Sequence, residues 1–253
     1  MNTESKKKEA LRFISKDQYG LEIGPSYSPL APKQDGWNVD IVDHLSTKEL
    51  EEKYNAWNVG THRIEHVDYV VKGHQGIYET IGKENVYDFI LASHVIEHTP
   101  DMISFLQDCE KLLKKGGILS LVVPDKNFCF DIYKPLTTTG QIIQAFLEKR
   151  KRHSAGIIYD AHALHVSKNG QCAWPGDTSQ EGLTFVHTVE EAKAIMDDFL
   201  SSEKYIDVHA WQCTYESFIK IIQDLKKLCF ISFSIEYSSP SNGHEFYVSL
   251  KKT

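Results

Sequence analysis

Tyr19-Gly20-Leu21-Glu22-Ile23-Gly24-Pro25-Ser26-Tyr27-Ser28-Pro29 is the stretch on which the fold turns. It runs from a short apolar strand carrying one acid, Glu22, into a tight turn at Gly24. Pro25, Pro29 and the nearby Pro32 fix φ and make the connection stiffer than a glycine-rich loop. Nineteen residues after Gly24 a second strand, Val39-Asp40-Ile41-Val42, ends in Asp43. A strand-to-helix turn that lets backbone approach a ligand, followed by a carboxylate at the next strand's tip, is how an open parallel sheet holds a nucleoside cofactor.

Working outward, residues 5–15 carry an apolar stripe of Ala10, Leu11, Phe13 and Ile14 that predicts a short helix. Ser46-Thr47-Lys48-Glu49 has the hydroxyl-x-x-acid form of a capping box and opens a helix through Tyr54. Arg63 to Val70 is expected to supply a third strand, with Asp68 inside it. Val86-Tyr87-Asp88-Phe89-Ile90-Leu91-Ala92-Ser93 is short and apolar between polar ends, as a buried parallel strand should be, and it continues into His94-Val95-Ile96-Glu97-His98. Thr99-Pro100-Asp101 reads as a helix start with Thr99 as cap, and Lys114-Lys115-Gly116-Gly117 as the stop. Ile118 to Val123 is the next strand.

Strands alternating with helices predict an α/β, doubly wound, Rossmann-like sheet. After Pro124 the pattern loosens. Residues 125–202, with expected helices at 140–152 and 189–201 and a polar loop at 167–182, read as a lid inserted into a core of residues 1–124 and 203–253. Residues 214–228 return to a helix, followed by strands at 230–237 and 246–250 around the turn Ser241-Asn242-Gly243, a C-terminal antiparallel hairpin.

The 253 residues suffice for a full core, and 41% apolar with 25% charged residues is ordinary for a globular chain. A net charge of −7 argues against a nucleic-acid partner. Five cysteines without a short-range pair fit reduced thiols. No apolar run approaches bilayer length, and the start Met1-Asn2-Thr3-Glu4-Ser5 lacks a signal-peptide core, so the expected location is cytoplasmic, without membrane insertion.

A dinucleotide would require glycine at positions held here by Ser26 and Pro29, which disfavours a pyrophosphate-bearing cofactor. The Leu21-Glu22-Ile23-Gly24-Pro25 strand and turn, the Asp43 strand end and the Tyr87–His98 segment resemble the motifs of the seven-stranded S-adenosylmethionine-dependent methyltransferases. The final helix and hairpin are similar to that family's last two strands. The resemblance covers about residues 15–124 and 205–253. More narrowly, the Leu-Glu-Ile-Gly-Pro-Ser turn and Tyr205-Ile206-Asp207-Val208-His209-Ala210-Trp211 resemble methyltransferases found among bacterial polysaccharide and glycan assembly enzymes. The resemblance implies S-adenosylmethionine as cofactor, with S-adenosylhomocysteine as product. It implies that Glu22 and the Gly24-Pro25-Ser26 turn lie beside the methionine moiety, Asp43 on the ribose, Asp68 near adenine, and Ser93 and His94 along the pocket. The Pro25-Ser26-Tyr27-Ser28 turn departs from the more glycine-rich loop of typical members.

Methyl transfer to a hydroxyl of a saccharide or sugar-linked small molecule, the expected reaction, needs the acceptor's proton removed by a base or by a metal that lowers its pKa. Candidate bases are His162, His209 and His187, with Asp160 or Asp207 as orienting acid. Asp160, His162 and His165 would also suit a divalent metal if helical, although scattered histidines more often serve structure and a metal is not favoured. The competing expectation is a catalytically silent methyltransferase-like partner module in a glycan-assembly complex.

Overall fold

The computed structural model describes residues 3–73, 75–202 and 204–253; the expectation placed on Met1 and Asn2 lies outside them. Nine strands and eight α-helices are formed by the described residues. In chain order the first part contains α1 (Thr3–Ala10), β1 (Gly20–Ile23), β2 (Val39–Asp43), α2 (Thr47–Ala56), β3 (Tyr69–Val70), α3 (Ile77–Ile81), β4 (Tyr87–Ser93), α4 (Met102–Leu112) and β5 (Leu113–Pro124). There follow α5 (Thr139–Leu147), α6 (Ala155–Ala163), β6 (Val166–Lys168), β7 (Leu183–Phe185), α7 (Val189–Ser201), α8 (Tyr215–Lys227), β8 (Ser234–Ser239) and β9 (Glu245–Lys251).

Seven strands form one sheet in the order β3-β2-β1-β4-β5-β9-β8. The first five are parallel, and β9 runs antiparallel between β5 and β8. The order reverses between β1 and β4, which opens a crevice at the carboxyl ends of those strands. Successive residues of β4 point to opposite faces, and both faces are covered. Ile90 and Ala92 pack with Leu106 of α4 and Ile221 of α8. Phe89 and Leu91 pack with Ala10 of α1 and Leu50 of α2. Burial on both faces is why this strand is nearly all apolar.

Local chemistry differs from the expectation at several ends. The Ser46–Glu49 capping box is complete. The cap of α4 is Asp101, not Thr99: its carboxylate accepts from the Ser104 N–H at 3.0 Å, while the Thr99 hydroxyl donates to the Ile96 carbonyl. α4 stops at Leu112, and Lys114 to Gly117 form the start of β5, where Gly116 takes φ +78°. β3 has only two residues, with Asp68 just before it, because Asp68 turns its carboxylate onto the Ile41 N–H at 2.7 Å. α1 ends at Ala10, and β8 begins at Ser234, after Phe230 has turned into the core beside Phe146.

Residues 125–202 lie outside the large sheet and contain α5, α6, α7 and the two-stranded β6–β7 pair, which flanks the expected polar loop. Two backbone links fasten residues 209–214 to the segment between β5 and α5: Lys126 N–H to Cys213 O at 3.0 Å and Thr137 N–H to Gln212 O at 2.9 Å. Among the described residues no helix is long and apolar enough to cross a membrane, and the five cysteines are free.

Candidate active site

The crevice begins at Gly24. Its N–H donates to the Val42 carbonyl at 2.8 Å, and its φ of +60° puts the chain in the left-handed region. A Cβ there would also stand 3.2 Å from Val95 Cγ2, so glycine serves both the turn and the close approach of the segment after β4. Pro25 follows, and Ser26 has φ +51°. The Ser26 N–H donates at 3.3 Å to Oδ2 of Asp43, the buried last residue of β2. Asp43 Oδ1 accepts from the His44 N–H at 2.7 Å.

Glu22 is 2% exposed, and both its oxygens accept loop amides, Leu30 at 2.6 Å and Ala31 at 3.1 Å. Burial pushes its carboxyl up to about 7, opposed by those two bonds. The protein's own backbone thus offsets only part of the cost of burying this acid. Asp68 is paired with Lys33 as well as with Ile41. Ser93 closes β4 beside Val122. His94, at φ +55°, places Nε2 2.8 Å from Glu245 Oε2. Burial opposes ionisation of Glu245, but His94 and Lys6 outweigh it and hold its carboxyl down at about 2.

Immediately beyond, a 3-10 turn at Ile96–His98 carries a second buried acid. Glu97 is 1% exposed, and neither carboxylate oxygen has a hydrogen-bond partner. Its Oε1 stands 3.9 Å from Nε2 of His98 and 3.9 Å from Nε2 of His209. Each imidazole has a carboxylate on its other nitrogen: Asp207 Oδ1 is 2.8 Å from His98 Nδ1, and Asp131 Oδ2 is 2.6 Å from His209 Nδ1. The Glu97 carbonyl accepts from the Ala210 N–H at 2.7 Å, which clamps the two segments together. Burial works against the imidazolium of His98, yet Asp207 and the charge of Glu97 raise its pKa overall. Asp131 is held down at about 2, against its burial, by His209 and by the buried ammonium of Lys134 at 2.7 Å.

The remaining expected residues fall on the region after β5. His162, near the end of α6, bonds through Nδ1 to the Ile158 carbonyl of its own helix at 2.8 Å. Its ring centre is 5.3 Å from that of His187. His165 lies past the helix end, stacked on Phe130 at 4.7 Å, and the Phe130 ring is also 4.7 Å from that of His209. Asp160 and His209 line one cavity of about 290 Å³ with Thr137, Gln141, Gln144 and Gln212. The structure therefore brings His162 together with His187, and Asp160 onto a cavity shared with His209. Among the described residues, Asp160, His162 and His165 form no metal-like group.

Sequence reasoning passed over Glu97 and Asp131. Glu97 carried a weaker signal, an acid directly after the apolar pair Val95-Ile96, whereas Glu22 has an apolar neighbour on each side. Asp131 carried none, since its partner His209 is 78 residues away.

The profile of a family described as a methyltransferase domain matches residues 6–176, and the chain belongs to that family. It is a methyltransferase that uses S-adenosylmethionine as cofactor. Comparison with curated proteins finds no match. Among solved structures, one from Rhodobacter sphaeroides described under Zn-dependent alcohol dehydrogenases is similar at TM-score 0.54 and 13% identity, over 98% of this chain and 90% of that one. At that identity the likeness concerns the fold alone. A SAM-dependent methyltransferase from Thermotoga maritima is similar at TM-score 0.49 and 12% identity, over 99% and 89% of the two chains. Another from Aquifex aeolicus is similar at 0.46 and 12%, over 100% and 90%.

Proposed function

We propose that this methyltransferase O-methylates a hydroxyl of a saccharide or sugar-linked small molecule. The observation that carries the reading is the convergence of Glu97, His98 Nε2 and His209 Nε2 just past the tip of β4, three groups able to accept a proton or a positive charge. An alcohol must lose a proton as it becomes an ether, whereas a neutral amine attacks with a lone pair it already has. A cavity lined by Thr137, Gln141, Gln144, Asp160 and Gln212 offers the hydroxyl and amide partners that a polyhydroxylated ring requires.

The residues around β1 and β2 fit the cofactor. The Gly24-Pro25-Ser26 turn presents backbone without a Cβ at Gly24, and Asp43 stands at the next strand tip for a pair of ribose hydroxyls. Asp68 would lie toward adenine, with Ser93 and His94 along the wall. Glu22 acts by holding Leu30 and Ala31, and through them the loop that follows the turn. The bound cofactor supplies an electrophilic methyl group on a sulfonium. The chain's own task is to set the acceptor oxygen in line with that methyl, and residues 125–202 act as the lid that excludes water.

Incubation with labelled S-adenosylmethionine and a panel of sugars, sugar nucleotides and amines tests the reading. Label is expected on a sugar hydroxyl. Preferential labelling of amines would overturn it.

A further inference from the structure

We propose that Glu97, His98 and His209 form a binding site for one divalent transition-metal cation of the zinc class. One ligand atom from each of the three lies within 4.8 Å of the others. Groups about 2.1 Å from a shared ion stand roughly 3 to 4 Å apart, so the two 3.9 Å separations need to close by only tenths of an ångström.

Three features mark a ligand site and not a chance cluster. Glu97 is buried with two unpartnered oxygens, a costly state that a cation between the oxygens and the two rings would relieve. Both rings turn Nε2 toward Glu97 because Nδ1 of each faces a carboxylate, Asp207 or Asp131. Behind His209 the Asp131 carboxylate is hydrogen-bonded to Nδ1, the usual outer partner that fixes the tautomer and raises the basicity of a metal-bound histidine. Behind His98, Asp207 stands within 2.8 Å as a charge partner. Finally, the ligands come from a 3-10 turn and from a strap clamped to it by the Ala210-to-Glu97 and Trp211-to-Glu97 amide bonds, so the geometry is held before any ion arrives.

One carboxylate and two imidazoles suit zinc, and manganese less strongly, in preference to magnesium, which favours an all-oxygen shell. Three protein ligands leave a position open. Its use in the reaction rests on the O-methylation reading above: an acceptor hydroxyl on the ion would lose its proton to solvent past the exposed Asp207. The freed oxygen pair then forms the bond to the methyl carbon as the carbon–sulfur bond breaks, and that pair stays on sulfur.

Protein stripped with a chelator and titrated calorimetrically with ZnCl₂, MnCl₂ and MgCl₂ tests the site. One zinc per chain is expected, with weaker manganese and much weaker magnesium. Glu97→Gln and His209→Ala should each weaken zinc at least tenfold, while His62→Ala, a histidine outside the cluster, should leave it unchanged. Without metal, Glu97→Gln should melt no lower than the parent chain, since it removes a buried unpartnered charge; zinc should raise the melting temperature of the parent by more than that of the variant. Zinc affinity that survives both substitutions, a magnesium preference, or a lowered melting temperature of metal-free Glu97→Gln would overturn the assignment. S-adenosylhomocysteine titrated into the same samples separates the two claims: its binding reports on the methyltransferase site whatever the zinc result.

Discussion

Asp131 Oδ2 lies 2.6 Å from His209 Nδ1, and this contact decides which nitrogen of the ring is left for chemistry. With Nδ1 turned to a carboxylate, Nε2 is the nitrogen that faces Glu97. Asp131 stays ionised despite its burial because His209 and Lys134 both hold it. A side chain of this kind positions the ring without touching the acceptor.

Asp131→Asn should therefore lower methyl transfer by about 10- to 100-fold, as changes behind a functional imidazole commonly do. The affinity for S-adenosylhomocysteine should not change, because Asp131 is not part of the Gly24–Asp43 crevice. The variant should also lose stability, on the order of 3 kcal/mol, because Lys134, 3% exposed, is left buried without its anion. Turnover assays, calorimetry and thermal melts distinguish these effects. Unchanged turnover would show that the tautomer of His209 is irrelevant.

Asp43→Ala should weaken S-adenosylhomocysteine by about 10- to 100-fold, the loss expected for hydrogen bonds to a charged acceptor. Oδ2 is held only by the long 3.3 Å bond from Ser26, and the side chain is fully covered, so a ligand hydroxyl would take the place of that turn amide. Asp43→Asn should fall between the two. Equal affinity of parent and alanine variant in a calorimetric titration would remove Asp43 from the cofactor site.

Gly24→Ala meets two obstacles, a φ of +60° and a Val95 methyl 3.2 Å from the new Cβ. The left-handed conformation alone costs about 1–2 kcal/mol. The melting temperature should fall by roughly 2–8 °C, and the added Val95→Ala change should recover only part of it. Full recovery in the double variant would mean that crowding alone accounts for the glycine.

The sheet was legible because its signals are local. The apolar β4 run, the Ser46 capping box and the Ser241–Gly243 turn each need fewer than a dozen neighbouring residues to be read. Helix ends were less so: Thr99 and Asp101 are both good caps, and only the geometry of the Ile96 carbonyl shows that the Thr99 hydroxyl is engaged elsewhere. The candidate site resists sequence reading for a different reason. Glu97, Asp131 and His209 meet through contacts spanning 78 residues or more, and periodicity carries no information at that range. Both Glu22 and Glu97 are acids next to apolar residues, yet two loop amides bond to one and nothing hydrogen-bonds the other.

That contrast gives Glu22 a pH signature. Its folded carboxyl is raised to about 7 from a usual 4.5, burial outweighing the two amide bonds. Between those values the folded chain binds more protons than the unfolded chain, so the group's contribution is fully present below pH 4.5 and is lost as pH rises through 7. A shift of this size corresponds to about 3 kcal/mol. Glu22→Gln cannot ionise and should lack that dependence. Measured by urea unfolding, the variant should gain on the parent by about that amount between pH 4.5 and pH 8, whichever is the more stable at the acid end. A constant difference across the range would show that the two loop amides fully compensate the buried charge, and that Glu22 is as content ionised in the fold as in water.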